Sequence, residues 1–207
     1  MIIGIPVYEK VDLLDVTGPH EILKWMTKPK ADVRIIAEKP CEISSRDGFC
    51  FKAPYGFSDI ETLDVVWVPG GEPDALKLLM SGPRTYLDFL IRVSADARYV
   101  ASVCEGALLL AAAGLLDGYE ATTHWAFIPC LKKFPKIKVV EGYPRFVVDR
   151  NRITGGGISS GLDEAFKLVD LLAGYEVAQE VQRTTQYYPA PPVASSLPPT
   201  RTCPFEW

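Results

Sequence analysis

Apolar runs with almost no polar interruption alternate along this chain with stretches of helical spacing. Residues 2–7, 33–37, 63–68 and 98–103 read as short strands, and residues 49–53 as a weaker one in a hairpin after Asp47-Gly48. Between them lie helical patterns. After residue 17, Thr17 is placed as N-cap, Pro19 in the first turn, and Ile22, Leu23, Trp25 and Met26 on one apolar face. Residues 83–95 repeat Tyr86, Phe89, Leu90 and Val93 at helical spacing, and residues 105–116 predict a buried helix. Residues 139–148 read as strand, turn, strand. Ile153-Thr154 leads into Gly155-Gly156-Gly157, and a helix follows over about 161–173. Continuous rather than alternating apolar strands are buried on both faces. With helices between them they predict an α/β fold, a doubly wound sandwich around a mainly parallel sheet. Ligands in such folds sit beyond the carboxyl ends of the strands.

The pattern fades after residue 185. Residues 186–207 hold prolines 189, 191, 192, 198, 199 and 204. This segment reads as a proline-rich tail that either wraps the surface or moves freely, behind one domain over 1–185. A 207-residue chain that is 48% hydrophobic and 23% charged is an ordinary globular domain needing no metal or disulfide staple. A net charge of −4 gives no footing for nucleic acid. The longest apolar run, ten residues if Gly114 is included, is half of the roughly 20 needed to span a bilayer. The start of the chain lacks the marks of a secretory peptide. Five cysteines, odd in number and without a Cys-x-x-Cys, argue against a disulfide framework or zinc site and for a reducing cytoplasm.

The sharpest chemical feature is Val100-Ala101-Ser102-Val103-Cys104-Glu105-Gly106-Ala107. A buried strand ends at a cysteine and a helix begins at once, the layout of a nucleophile elbow with a thiol in place of the hydroxyl. The helix dipole there is expected to lower the thiol pKa, and Gly106 to permit close backbone approach. Buried structural cysteine is the plain alternative. Cys41, Cys50, Cys130 and Cys203 have no such context and read as structural. Val68-Pro69-Gly70-Gly71 ends a central strand. The N–H groups of Gly70 and Gly71 could form an oxyanion hole beside Cys104, or simply a turn. Asp15, between the first strand and first helix, is either a general acid/base or a helix cap. Gly155-Gly156-Gly157-Ile158 lacks the dinucleotide-binding spacing and reads as backbone lining a pocket, with Gly156 and Ile158 nearest the ligand. His124 is the one plausible base for a Cys–His pair and is equally well a structural residue. No histidine–carboxylate cluster has metal spacing.

Taken in order, Leu14-Asp15-Val16-Thr17-Gly18-Pro19-His20, Val68-Pro69-Gly70-Gly71, the segment ending at Cys104, Ala113-Gly114-Leu115-Leu116, Ala121-Thr122-Thr123-His124-Trp125, Thr154-Gly155-Gly156-Gly157-Ile158 and Tyr188-Pro189-Ala190-Pro191-Pro192 resemble the ThiJ/PfpI superfamily, and within it the isonitrile hydratases. The resemblance implies a flavodoxin-like sandwich, a homodimer and no cofactor. It implies Cys104 as nucleophile, Asp15 as its acid/base, and backbone near Gly71 and Gly156 to Ile158 lining the pocket. The implied reaction hydrates a small apolar isonitrile to an N-substituted formamide through a thioimidate on Cys104. One position departs. Glu105 follows the nucleophile where a small hydroxyl residue is expected, either pointing away or serving as a second acid/base. It also excludes the protease branch, which places histidine there. Two other functions fit the same fold: a thiol acting on aldehydes or sensing oxidation, and a ligand-sensing regulator. For the latter, the tail leaves no room for two DNA-binding helices.

Overall fold

The structure is a computed structural model and describes residues 1–205. In chain order its elements are β1 (Ile2–Pro6), α1 (Leu13–Lys24), β2 (Asp32–Ala37), β3 (Cys41–Ser44), β4 (Cys50–Ala53), β5 (Tyr55–Gly56), β6 (Val65–Val68), α2 (Pro73–Ser81), α3 (Thr85–Ser94), β7 (Tyr99–Ser102), α4 (Gly106–Ala112), β8 (Glu120–Ala121), α5 (Ile128–Leu131), β9 (Lys138–Val139), β10 (Phe146–Asp149), β11 (Arg152–Gly155), α6 (Ser160–Ala173) and α7 (Tyr175–Thr185).

Seven strands form the main sheet in the order β10-β11-β7-β6-β1-β2-β5. All pairs are parallel except β10 with β11. The expected doubly wound, mainly parallel architecture is therefore present. Its centre is β6, where Val65, Val66, Trp67 and Val68 are all fully buried. Each such side chain contributes about 1.5–3 kcal/mol on burial. Helices α1, α6 and α7 pack together in one layer, and α2, α3 and α4 in the other. The chain steps from β1 to β2 and β5 on one side and from β6 to β7 and β11 on the other, so the order reverses between β1 and β6, whose carboxyl ends flank the crevice. There β3 and β4 add a separate hairpin turning at Asp47-Gly48, as expected.

Several expectations need correction. Helix α1 starts at Leu13 and is capped by Asp12, whose Oδ1 accepts from the Leu14 N–H at 3.2 Å. Thr17 lies inside the helix and donates to the Leu13 carbonyl, and Pro19 is also interior rather than in the first turn. Helices α2 and α7 occupy stretches where no element was expected. The absence of disulfides also fails, because Cys130 and Cys203 are bonded across 73 residues. Among the described cysteines, Cys41, Cys50 and Cys104 are free. An odd count hides a single pair when the tail folds back on the domain. No helix among the described residues is long and apolar enough to cross a membrane.

Candidate active site

Cys104 sits two residues past the end of β7 with φ of 56°, a left-handed backbone that costs a non-glycine residue about 1–3 kcal/mol. Its surroundings hold it there. The Cys104 N–H donates to the Gly156 carbonyl at 2.8 Å, and the Thr123 hydroxyl donates to the Cys104 carbonyl at 2.7 Å. Gly106 lies so close to the Val68 carbonyl that any Cβ would collide with it, which lets α4 start directly against the end of β6. The predicted elbow is thus real geometry, strained and pinned from β11 and from the loop after β8.

Asp15 reaches the same point from α1 and is fully buried. A proline at 19 has no N–H to offer the carbonyl four residues earlier. That carbonyl belongs to Asp15, and the Trp67 indole N–H fills it at 3.0 Å. The Gly70 N–H donates to Asp15 Oδ2 at 2.9 Å. Asp15 Oδ1 is buried with no hydrogen-bond partner by strict geometry among the described residues, and its carboxyl couples to the Cys104 thiol. Because Asp12 caps the helix, Asp15 has no structural duty there. The Gly70 N–H is correspondingly not a bare oxyanion donor but a clamp on Asp15. Gly71 pairs with Val11 in an isolated bridge, lashing the start of α1 to the end of β6.

Glu105 turns into the site and is almost fully buried. Its Oε2 packs onto Gly70, where an added Cβ would lie 2.5 Å from it and 2.7 Å from Cys104 Cβ. The thiol and this carboxyl each shift the other's titration. Burial raises Glu105 from its ordinary 4.5 to about 7. Burial, then Asp12 and Glu105, push Asp15 well above the usual carboxylate range. The expected lowering of the thiol pKa does not hold. Burial, followed by Asp15 and Glu105, pushes Cys104 well up, and the N–H of Ile158, 3.4 Å from Sγ, opposes this only in part. Helix α4 is seven residues long and begins two residues beyond the sulfur, so its dipole is outweighed. Three acidic groups in one dry space cannot all ionise, and the site stores protons.

A cavity of about 320 Å³ is bounded by Ile158, Gly156, His124, Trp125, Tyr143 and Leu197, among others; Cys104 is not in its lining, and Ile158 and Gly156, both bonded to Cys104, separate it from the sulfur. It is of a size to hold a small ligand. Of the predicted pocket backbone, Gly156 and Ile158 line this cavity and Gly70 and Gly71 do not; Gly156 accepts from the Cys104 N–H, and Ile158, at φ of 31°, aims its N–H at Sγ. His124 lines the cavity but is not paired with the thiol. Its Nδ1 accepts from the Ala126 N–H at 3.2 Å, and its ring rests on Gly157. Burial, then the Arg46 charge, keep its pKa below the ordinary value, so it is a neutral wall.

Glu164 escaped sequence reasoning. It is fully buried on α6, with its carboxyl packed onto Gly155, and neither oxygen has a hydrogen-bond partner by strict geometry among the described residues. Burial, then Asp15, push it well above the usual range. The available signal was its position: Ser160, Gly161, Glu164, Ala165, Leu168 and Val169 form the buried face, so Glu164 stands in an apolar stripe.

Residues 2–171 match the DJ-1/PfpI family. The chain is 41% identical over 198 residues to the isonitrile hydratase of Pseudomonas putida, covering 96% of this chain and 83% of that one. It is 28% identical to the HTH-type transcriptional regulator GbdR of Pseudomonas aeruginosa, over 70% of this chain but 38% of the regulator. Among solved structures, a ThiJ/PfpI family protein from Pseudomonas syringae superposes with a TM-score of 0.84 at 34% identity, covering 93% of this chain and 77% of that one. With the family match running over residues 2–171, the chain belongs to the DJ-1/PfpI family.

Proposed function

We propose that this protein hydrates small apolar isonitriles to N-substituted formamides, with Cys104 as nucleophile. The observation that carries the reading is the convergence of the Cys104 side chain and two buried carboxyls, Asp15 and Glu105, on Gly70. The 41% identity to an isonitrile hydratase supports it.

The two carboxyls divide the proton work. Glu105, pushed up to about 7, is available as a carboxylate and lies with the Cys104 side chain over Gly70. It takes the thiol proton as sulfur attacks the terminal isonitrile carbon. Asp15, held neutral, gives its proton to that carbon. The product of these transfers is a thioimidate, with Glu105 protonated and Asp15 ionised. Asp15 then takes one proton from water, and the hydroxide adds to the thioimidate carbon. The remaining hydroxyl proton passes to nitrogen, the carbon–sulfur bond breaks, and Glu105 returns its proton to the departing sulfur. Formamide leaves and both carboxyls are restored. The apolar rings of Trp125 and Tyr143 suit an apolar substituent on nitrogen. A homodimer belongs to the same reading.

An oxidation sensor needs an accessible, acidic thiol. Cys104 is 2% exposed with a raised pKa, which counts against that alternative. The test is formation of formamide from an aryl and an alkyl isonitrile, followed by chromatography. Wild-type protein is expected to make it and Cys104→Ala to make none. No formamide from wild type, alongside consumption of 2-oxoaldehydes, would transfer the site to the aldehyde reading.

A further inference from the structure

The segment after α7 has no regular element in the described residues, yet it is tied to the walls of the cavity. Its far end is bonded through Cys203 to Cys130 on α5. The Thr200 N–H donates to the Tyr143 hydroxyl at 3.3 Å. The Phe205 ring packs on Phe127, 5.8 Å between centroids, and Phe127 packs on His124 at the same separation. Tyr143 and His124 are both walls of the cavity that Ile158 separates from Cys104, so two of the fastenings reach its lining. Between α7 and these fastenings, Leu197 leans into that cavity as a wall residue while remaining half-exposed.

We propose that residues 193–203 are a strap whose Leu197 limits the bulk of the group admitted to Cys104, and that the Cys130–Cys203 disulfide holds the strap in that position. Identifying that group as the nitrogen substituent of an isonitrile rests on the reading above; control of access to the sulfur does not. Residues 193–199 are largely exposed, and contacts at the far end of the segment do little to offset the entropy of ordering them. The disulfide supplies the missing constraint by removing that freedom from the unfolded chain. Pro198 and Pro199 stiffen the step from Leu197 to Thr200 and have no N–H to leave unpaired. The strap therefore keeps its place without a strand or helix of its own.

The experiment compares a small and a bulky thiol reagent on Cys104. Iodoacetamide and N-phenylmaleimide are each applied to wild type, to Leu197→Ala and to Cys130→Ser/Cys203→Ser, and modification of the Cys104 peptide is timed by mass spectrometry. Both variants should speed the maleimide about 10-fold while changing iodoacetamide less than about 2-fold, since trimming an apolar wall discriminates by size. The ratio of kcat/KM for bulky over small isonitriles should rise in the same variants. An unchanged maleimide-to-iodoacetamide ratio in Leu197→Ala overturns the proposal. That variant keeps the disulfide and decides the matter even if the double serine variant fails to fold. A raised ratio in protein that makes no formamide keeps the strap and sinks isonitrile hydration. Formamide production with an unchanged ratio does the reverse.

Discussion

Asp149, at the turn between β10 and β11, and Asp15, under the nucleophile, carry the same carboxyl in opposite settings. Asp149 is held down at about 2 by its hydrogen bonds from Arg150 and from the Glu120 N–H. Asp15 receives one backbone N–H, keeps one oxygen free of nitrogen and oxygen donors, and is pushed well up by burial and by Asp12 and Glu105. At the edge of the fold a carboxylate fastens a turn by being charged. At the carboxyl ends of the strands burial raises the carboxyl of Asp15, which holds a proton where a carbon could take it.

Breaking the inner member of this pair has the largest effect. Asp15→Asn should remain folded, since Asp12 caps α1, and should lose about 10²–10⁴-fold in turnover, measured as formamide formed per enzyme. Near-wild-type turnover in a folded variant would reduce Asp15 to packing.

Glu105→Gln sharpens the contrast by giving two readouts opposite signs. Turnover should fall about 10–10²-fold, because the base for the thiol proton is gone. Alkylation of Cys104 by iodoacetamide at pH 7 should become faster, because a neighbouring carboxylate no longer raises the thiol pKa. In wild type the carboxyl must ionise to act, so kcat/KM should fall as pH drops below about 7, and that acid limb should vanish in the variant.

Glu164→Gln acts on stability. A carboxyl raised in the folded state binds its proton there while the unfolded chain has already released it. Stability therefore declines as pH rises above the ordinary glutamate value of 4.5. Urea unfolding from pH 5 to 8 should show this decline flattened in the variant. Equal slopes would mean that Glu164 is solvated or paired. The outer comparison should do least: Asp149→Asn is expected to leave turnover and its pH profile unchanged.

What the sequence disclosed was local. Unbroken apolar runs identified the strands, and Ser102-Val103-Cys104-Glu105-Gly106 marked a strand-to-helix switch at a thiol. What it concealed depends on partners far along the chain. Pro19 looked like a helix start because its vacancy is filled by Trp67, on a strand reached only in the fold. Asp15 and Asp12 look alike in sequence, and which one caps is settled by the backbone of Gly70. Cys130 and Cys203 are brought together by a tail without periodicity. Helix α7 buries fully only Ala178 and Val181 of its eleven residues, so it left no apolar stripe to read. The thiol's pKa was misjudged for a related reason: a short helix and two converging carboxyls outweigh a dipole that the local pattern alone suggests.

The most direct test is the state of Cys104 during turnover. Wild-type protein is mixed with an aryl isonitrile, quenched with acid within milliseconds to seconds, digested and mapped by mass. Addition of the thiol across the isonitrile carbon predicts a gain equal to the mass of the isonitrile on the Cys104 peptide, rising before formamide accumulates and decaying as substrate is exhausted. Formamide accumulating while Cys104 stays unmodified, with Cys104→Ala still active, would contradict the account.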